Sequence, residues 1–151
     1  MLLGATSACG EGNPVEGISH SDGSQGQIGD IAVRNAYVVP NQGADDCTVQ
    51  REGPAQLSFT AVNGGNQADR LVAIDSGAAA SVRIDAAPEE LVLDAGASVA
   101  AGQPVTGADA QIDVVFEGPS ADVRPGRRVE VTFSFEKAGD MTFAVPVNAC
   151  R

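Results

Sequence analysis

The stretch Arg128-Val-Glu-Val-Thr-Phe-Ser-Phe-Glu136 alternates without a break. Val129, Val131, Phe133 and Phe135 fall on one side, and Glu130, Thr132, Ser134 and Glu136 on the other. That is the two-residue period of a half-buried strand. Lys137-Ala-Gly-Asp140 follows as a turn, and Met141, Phe143, Val145 and Val147 resume the apolar spacing. Together they predict an antiparallel hairpin with one buried face and one wet face. Pro146 has no N–H to give to a ladder, so it predicts an edge position or a bulge in the second strand.

Outward from this hairpin the same texture recurs. Ile31 to Val39 is a strand candidate with Ile31, Val33, Asn35, Tyr37 and Val39 on one face. Gln56 to Asn63 is another, stopped by Gly64-Gly65. Arg70 to Asp75, Ser81 to Ile84 and Glu90 to Leu93 are shorter, and Ala110 to Phe116 is closed by Gly118-Pro119. No eleven-residue window carries a helical stripe. Seven to nine short strands separated by Gly and Pro predict an all-β fold, an antiparallel β-sandwich of immunoglobulin-like layout.

The upstream residues read differently. Residues 1–9 end in Thr6-Ser-Ala-Cys9, small residues ahead of a cysteine, as at the end of a lipoprotein signal. Leu is usual where Thr6 stands. Cys9 is therefore the expected lipid-attachment residue, which puts the protein on the extracytoplasmic face of a cell membrane. Residues 10–29 hold six glycines and few apolar groups, the composition of a flexible linker. Residues 30–151 are the expected domain. His20, the one histidine, falls in the linker and is expected to be solvated.

The chain is long enough for one modest core. Twenty acidic against nine basic side chains give a net charge of −11, which excludes coating of nucleic-acid phosphates. No apolar run reaches the 18 or so residues of a membrane-spanning helix. No G-x-S-x-G, HExxH or P-loop occurs, and the calcium-loop pattern is absent. Asp85, Glu89, Glu90, Asp94, Asp109 and Asp113 show no spacing that makes them converge and read as a solvated acidic surface. The protein is expected not to be an enzyme.

Cys47 and Cys150 stand beside the first and last strands of the patterned region. Bonded, they would close a loop of about a hundred residues, worth about 4–5 kcal/mol in the chain-entropy model, and export makes the bond chemically reasonable. The alternative is a bis-thiolate site for a soft metal such as Cu(I). Asp45 and Asp46 disfavour the thiolates that such a site needs.

Gln56-Leu-Ser-Phe-Thr-Ala-Val-Asn-Gly-Gly65, Ala68-Asp-Arg-Leu-Val-Ala-Ile-Asp-Ser76 and the run Thr132-Phe-Ser-Phe-Glu-Lys-Ala-Gly through Val145-Pro-Val147 resemble the periplasmic copper chaperones of the PCu(A)C family. The opening Ile31-Ala-Val-Arg-Asn-Ala-Tyr37 fits as well. The resemblance covers about residues 31–147 and implies a cupredoxin-like sandwich. The family binds Cu(I) through two His and two Met, and its ligand positions fall near Asp85, Asp113 and Val115. None of these is a copper ligand of that kind; Met141 is expected in the core. The layout of anchor, linker and sandwich resembles the LpqE-type lipoproteins of actinobacteria. The resemblance implies an interaction module that docks on another envelope protein, with a respiratory oxidase complex as the natural candidate, and no cofactor. The alternative it leaves is a copper chaperone for cytochrome oxidase that uses atypical ligands.

Overall fold

The computed structural model describes residues 23–40, 53–102 and 108–148. Among these, ten strands follow in chain order: β1 (Ser24–Ile28), β2 (Ile31–Val39), β3 (Ala55–Asn63), β4 (Asp69–Asp75), β5 (Ala79–Asp85), β6 (Val92–Leu93), β7 (Ser98–Ala101), β8 (Ala110–Pro119), β9 (Arg128–Phe135) and β10 (Gly139–Pro146). They form a six-stranded sheet ordered β1-β2-β3-β7-β8-β5 and a four-stranded sheet ordered β10-β9-β4-β6. The strand pairings are antiparallel except that β7 runs parallel to β8. The molecule is an all-β sandwich.

The hairpin of β9 and β10 pairs in full register from Arg128↔Pro146 to Phe135↔Gly139. Pro146 lies on β10, an edge of the smaller sheet, where a missing N–H costs least. The inner faces meet through aromatic rings. Phe59 of β3 packs edge-on against Phe133 of β9 with centroids 5.0 Å apart. Phe133 in turn stacks on Phe143 at 5.5 Å. Leu57, Phe116, Leu71 and Leu93 fill the remainder of the same core, together with Met141. Each such side chain contributes about 1.5–3 kcal/mol on burial.

Four expectations need correction. The domain begins before residue 30: Ser24–Ile28 of the expected linker is a strand, paired with β2 from Ser24↔Ala36 to Ile28↔Ile31. A Cβ at Gly26 would stand 2.8 Å from Cδ1 of Phe143 and 2.9 Å from Sδ of Met141. This glycine is there for close approach to the hairpin, not for linker freedom. Residues 1–22, which include Cys9 and His20, lie outside the described residues.

Ile31 to Val39 does not alternate throughout. A bulge between Arg34 and Tyr37 shifts the register, and Asn35 takes φ 53°. Ile31 and Val33 point inward, and after the bulge Ala36 and Val38 do, so Asn35, Tyr37 and Val39 leave the buried face. Asn35 Oδ1 accepts the N–H of Gly23 at 3.2 Å.

Glu90-Leu91 is not strand. Pro88–Leu91 form a 3-10 turn with Pro at its start, which suits a residue whose φ is preset and whose N–H is absent. Glu90 Oε1 accepts the N–H of Ala87 at 2.8 Å, and only Val92–Leu93 extend. Finally, Gly118-Pro119 does not close β8 but forms its end, with Gly118 at φ 61° beneath Ala80.

Candidate functional site

The positions at which the resemblance places copper ligands come together. Asp85 at the end of β5 and Asp113 of β8 are direct cross-strand partners, and Val115 lies opposite Arg83. Alternation turns Val82 and Ile84 towards the core and leaves Ser81, Arg83 and Asp85 on the outer face. On β8, Ile112, Val114 and Phe116 are buried, so Asp113, Val115 and Glu117 share that outer face.

An arginine occupies its centre. Arg83 Nε donates to Asp85 Oδ1 at 2.9 Å and a terminal nitrogen to Oδ2 at 3.2 Å. The other terminal nitrogen donates to Glu117, whose second oxygen accepts from the Ser81 hydroxyl at 3.3 Å. Gln56 Nε2 reaches Asp113 Oδ1 at 3.3 Å. The hydrogen bond from Arg83 to Asp85, followed by the charges of Asp85 and Glu117, raises the guanidinium pKa further above its already high ordinary value. Arg83 therefore stays cationic at every working pH, and a metal cation would meet a fixed positive charge at the middle of the face. Hard carboxylates that are already paired do not fit Cu(I).

The motifs that carried the resemblance serve the fold. Asp69, 7 % exposed, accepts the N–H groups of Lys137 at 2.7 Å and Ala138 at 2.9 Å, together with that of Arg70 at 2.7 Å. The Asp-Arg-Leu-Val segment thus holds the Glu-Lys-Ala-Gly turn of the β9–β10 hairpin. Arg70 also pairs with Glu136 at 3.7 Å on the surface. Asn63, 1 % exposed, gives its amide to the carbonyls of Gln67 at 2.7 Å and Leu93 at 2.9 Å, and accepts from Gly65 N–H at 2.9 Å. That arrangement satisfies two polar groups in the turn after β3 and ties the turn to β6 through Leu93.

Glu89, Glu90, Asp94 and Asp109 share one surface region without converging on a point. They line an open cleft of about 680 Å³. Two of them are committed to the backbone: Glu90 to Ala87, and Asp109 Oδ2 to the N–H of Ser98 at 2.9 Å. Among the described residues no group of three or more His, Cys, Asp or Glu side chains could hold a metal ion.

Cys47 and Cys150 lie outside the described residues, but their flanks are placed. Val38 bridges Val147 in parallel, and Asn148 N–H donates to the Val38 carbonyl at 2.8 Å. The last described residues, Val147 and Asn148, therefore lie beside β2 near its end.

Comparison with known proteins agrees with this fold. The family model described as "Putative lipoprotein LpqE-like" matches residues 31–147. No curated protein matches. Among solved structures, the copper-bound PCuAC domain from PmoF2 aligns at 26 % identity and a TM-score of 0.65, covering 84 % of this chain and 99 % of that one. The apo PCuAC domain from PmoF1 aligns at 22 % and 0.64, covering 84 % and 100 %. The apo PmoF2 domain aligns at 24 % and 0.61, covering 83 % and 95 %. These likenesses confirm the PCuAC-like sandwich.

Proposed function

Because the chain belongs to the LpqE-like family, we propose that it is a lipid-anchored, extracytoplasmic docking module that has a copper chaperone's scaffold and has given up the copper site. Cys9 is the lipid-attachment residue in this reading, and the partner is another envelope protein, a respiratory oxidase complex first among them. The module is non-catalytic and takes no cofactor.

One observation carries the reading. The face formed by Asp85, Asp113 and Val115 is built around Arg83, which holds Asp85 and Glu117 in place. A cationic guanidinium there supplies the charge that a bound Cu(I) would bring, and the carboxylates it holds are hard donors rather than the soft ones Cu(I) takes.

The test is a Cu(I) titration of the full chain against a competing chelator, on oxidised and reduced protein separately. We expect no stoichiometric site of chaperone grade in the oxidised protein. Tight, stoichiometric binding there would overturn the reading. Tight binding confined to the reduced protein and lost in Cys47→Ser would favour the second reading, a chaperone that uses Cys47 and Cys150.

A further inference from the structure

Of the nine basic residues in this acidic chain, three fall within five positions: Arg124, Arg127 and Arg128. All three are exposed. The loop that carries them is pinned at both sides of Val147: Gly126 N–H donates to the Val147 carbonyl at 3.1 Å, and Val147 N–H to the Arg127 carbonyl at 2.8 Å. It lies at the end of the sandwich where the chain enters β1, because a terminal nitrogen of Arg128 donates to Ser24 Oγ at 3.0 Å. Cys9 stands fifteen positions before Ser24. Even fully extended, that length reaches only about 50 Å. A lipid on Cys9 therefore holds this end of the domain within that distance of the bilayer, and the choice of face is left to the surface itself.

We propose that the Arg124–Arg128 loop is a membrane-facing surface that rests against anionic lipid headgroups and orients the domain on its anchor. The inference rests on the lipid-anchored reading above. Two carboxylates share the stretch. Asp122 takes part of the charge of Arg127 at 3.6 Å, and Glu130 projects from β9. Arg124 has no side-chain partner among the described residues. Acidic groups elsewhere, such as Asp30 and Asp140 at the Gly29 and Gly139 turns, lie at the far end. The rest of the molecule is acidic on balance, so charge favours the orientation that turns this loop to the headgroups.

The experiment uses the full chain with Cys9→Ala, which removes the anchor and isolates the loop. Its flotation is measured at low salt with vesicles of equal phosphatidylglycerol and phosphatidylcholine, and with phosphatidylcholine alone. Binding is expected only to the anionic vesicles. Each arginine near such a surface adds about fivefold to partition, so Arg124→Gln with Arg127→Gln should lower it roughly 25-fold. Arg70→Gln, at the far end, should leave it unchanged. Absence of binding to anionic vesicles, or an equal loss with Arg70→Gln, overturns the proposal. The anchor reading is judged apart from this, by whether intact mass shows lipid on the parent chain.

Discussion

Replacing Asp69 with Ala tests whether the family-like motifs are clasps of the fold. Two of the hydrogen bonds that it accepts cross 68 and 69 positions of sequence, from Lys137 at 2.7 Å and Ala138 at 2.9 Å. Hydrogen bonds to a charged group are worth about 1.5–3 kcal/mol each. Lys137 is exposed and Ala138 half-buried, so water recovers part of the loss, and about 2–4 kcal/mol is expected in all. The bond to Arg70, a chain neighbour, is left out of this figure because the unfolded chain can also form it. Equilibrium urea unfolding reads the change. With a slope of about 2 kcal/mol per molar for a domain of this size, the midpoint should fall by about 1–2 M with an unchanged slope. Asp69→Asn, which retains one acceptor and turns an amide donor towards the other N–H, should fall between. Lys137→Ala keeps the backbone donor and sets the baseline. A shift for Asp69→Ala no larger than that baseline would refute the clasp.

Gly26→Val should destabilise the domain by about 1–3 kcal/mol, because the new side chain must displace Phe143 or Met141; no change in the unfolding midpoint would mean that Ser24–Ile28 is not held against the hairpin. Cys47 and Cys150 should be bonded in the exported protein, so alkylation without reductant should add no mass at either. Labelling of both thiols in native, unreduced protein would contradict that pairing.

The parts of the fold that could be read from sequence are those whose two faces differ in polarity. β9 and β10 alternate cleanly, and β3 keeps Leu57, Phe59 and Ala61 on its inner side. β1 could not be read this way because Ser-Gln-Gly-Gln-Ile has no apolar face of its own; it is recruited by the space above Phe143. β7 is Ser-Val-Ala-Ala, poor in strand-forming residues, and is drawn into the sheet by β3 and β8 on either side. The bulge at Asn35 left only a weak mark, an Asn that tolerates positive φ better than its neighbours. At the site, the spacing of Ser81, Arg83 and Asp85 already set them on one strand face. What no spacing could supply was the partner strand, whose register brings Glu117 and Asp113 to them. The acidic cleft was hidden for the same reason, since Asp109 and Glu89 come to line it only through the packing of distant segments.

The first strand also determines how the domain bears load. β1 runs lengthwise away from the point where the chain enters at Ser24, antiparallel to β2, with Gly26, Gln27 and Ile28 paired in succession to Val33, Ala32 and Ile31. A pull on the preceding chain, directed along that axis, strains these ladder bonds together in shear instead of parting them one by one as in a zipper. The survival of a loaded domain is governed by its unfolding rate, not by its equilibrium stability. A domain entered through a lengthwise edge strand can therefore hold under a pull along that strand that would peel it if directed across the sheet.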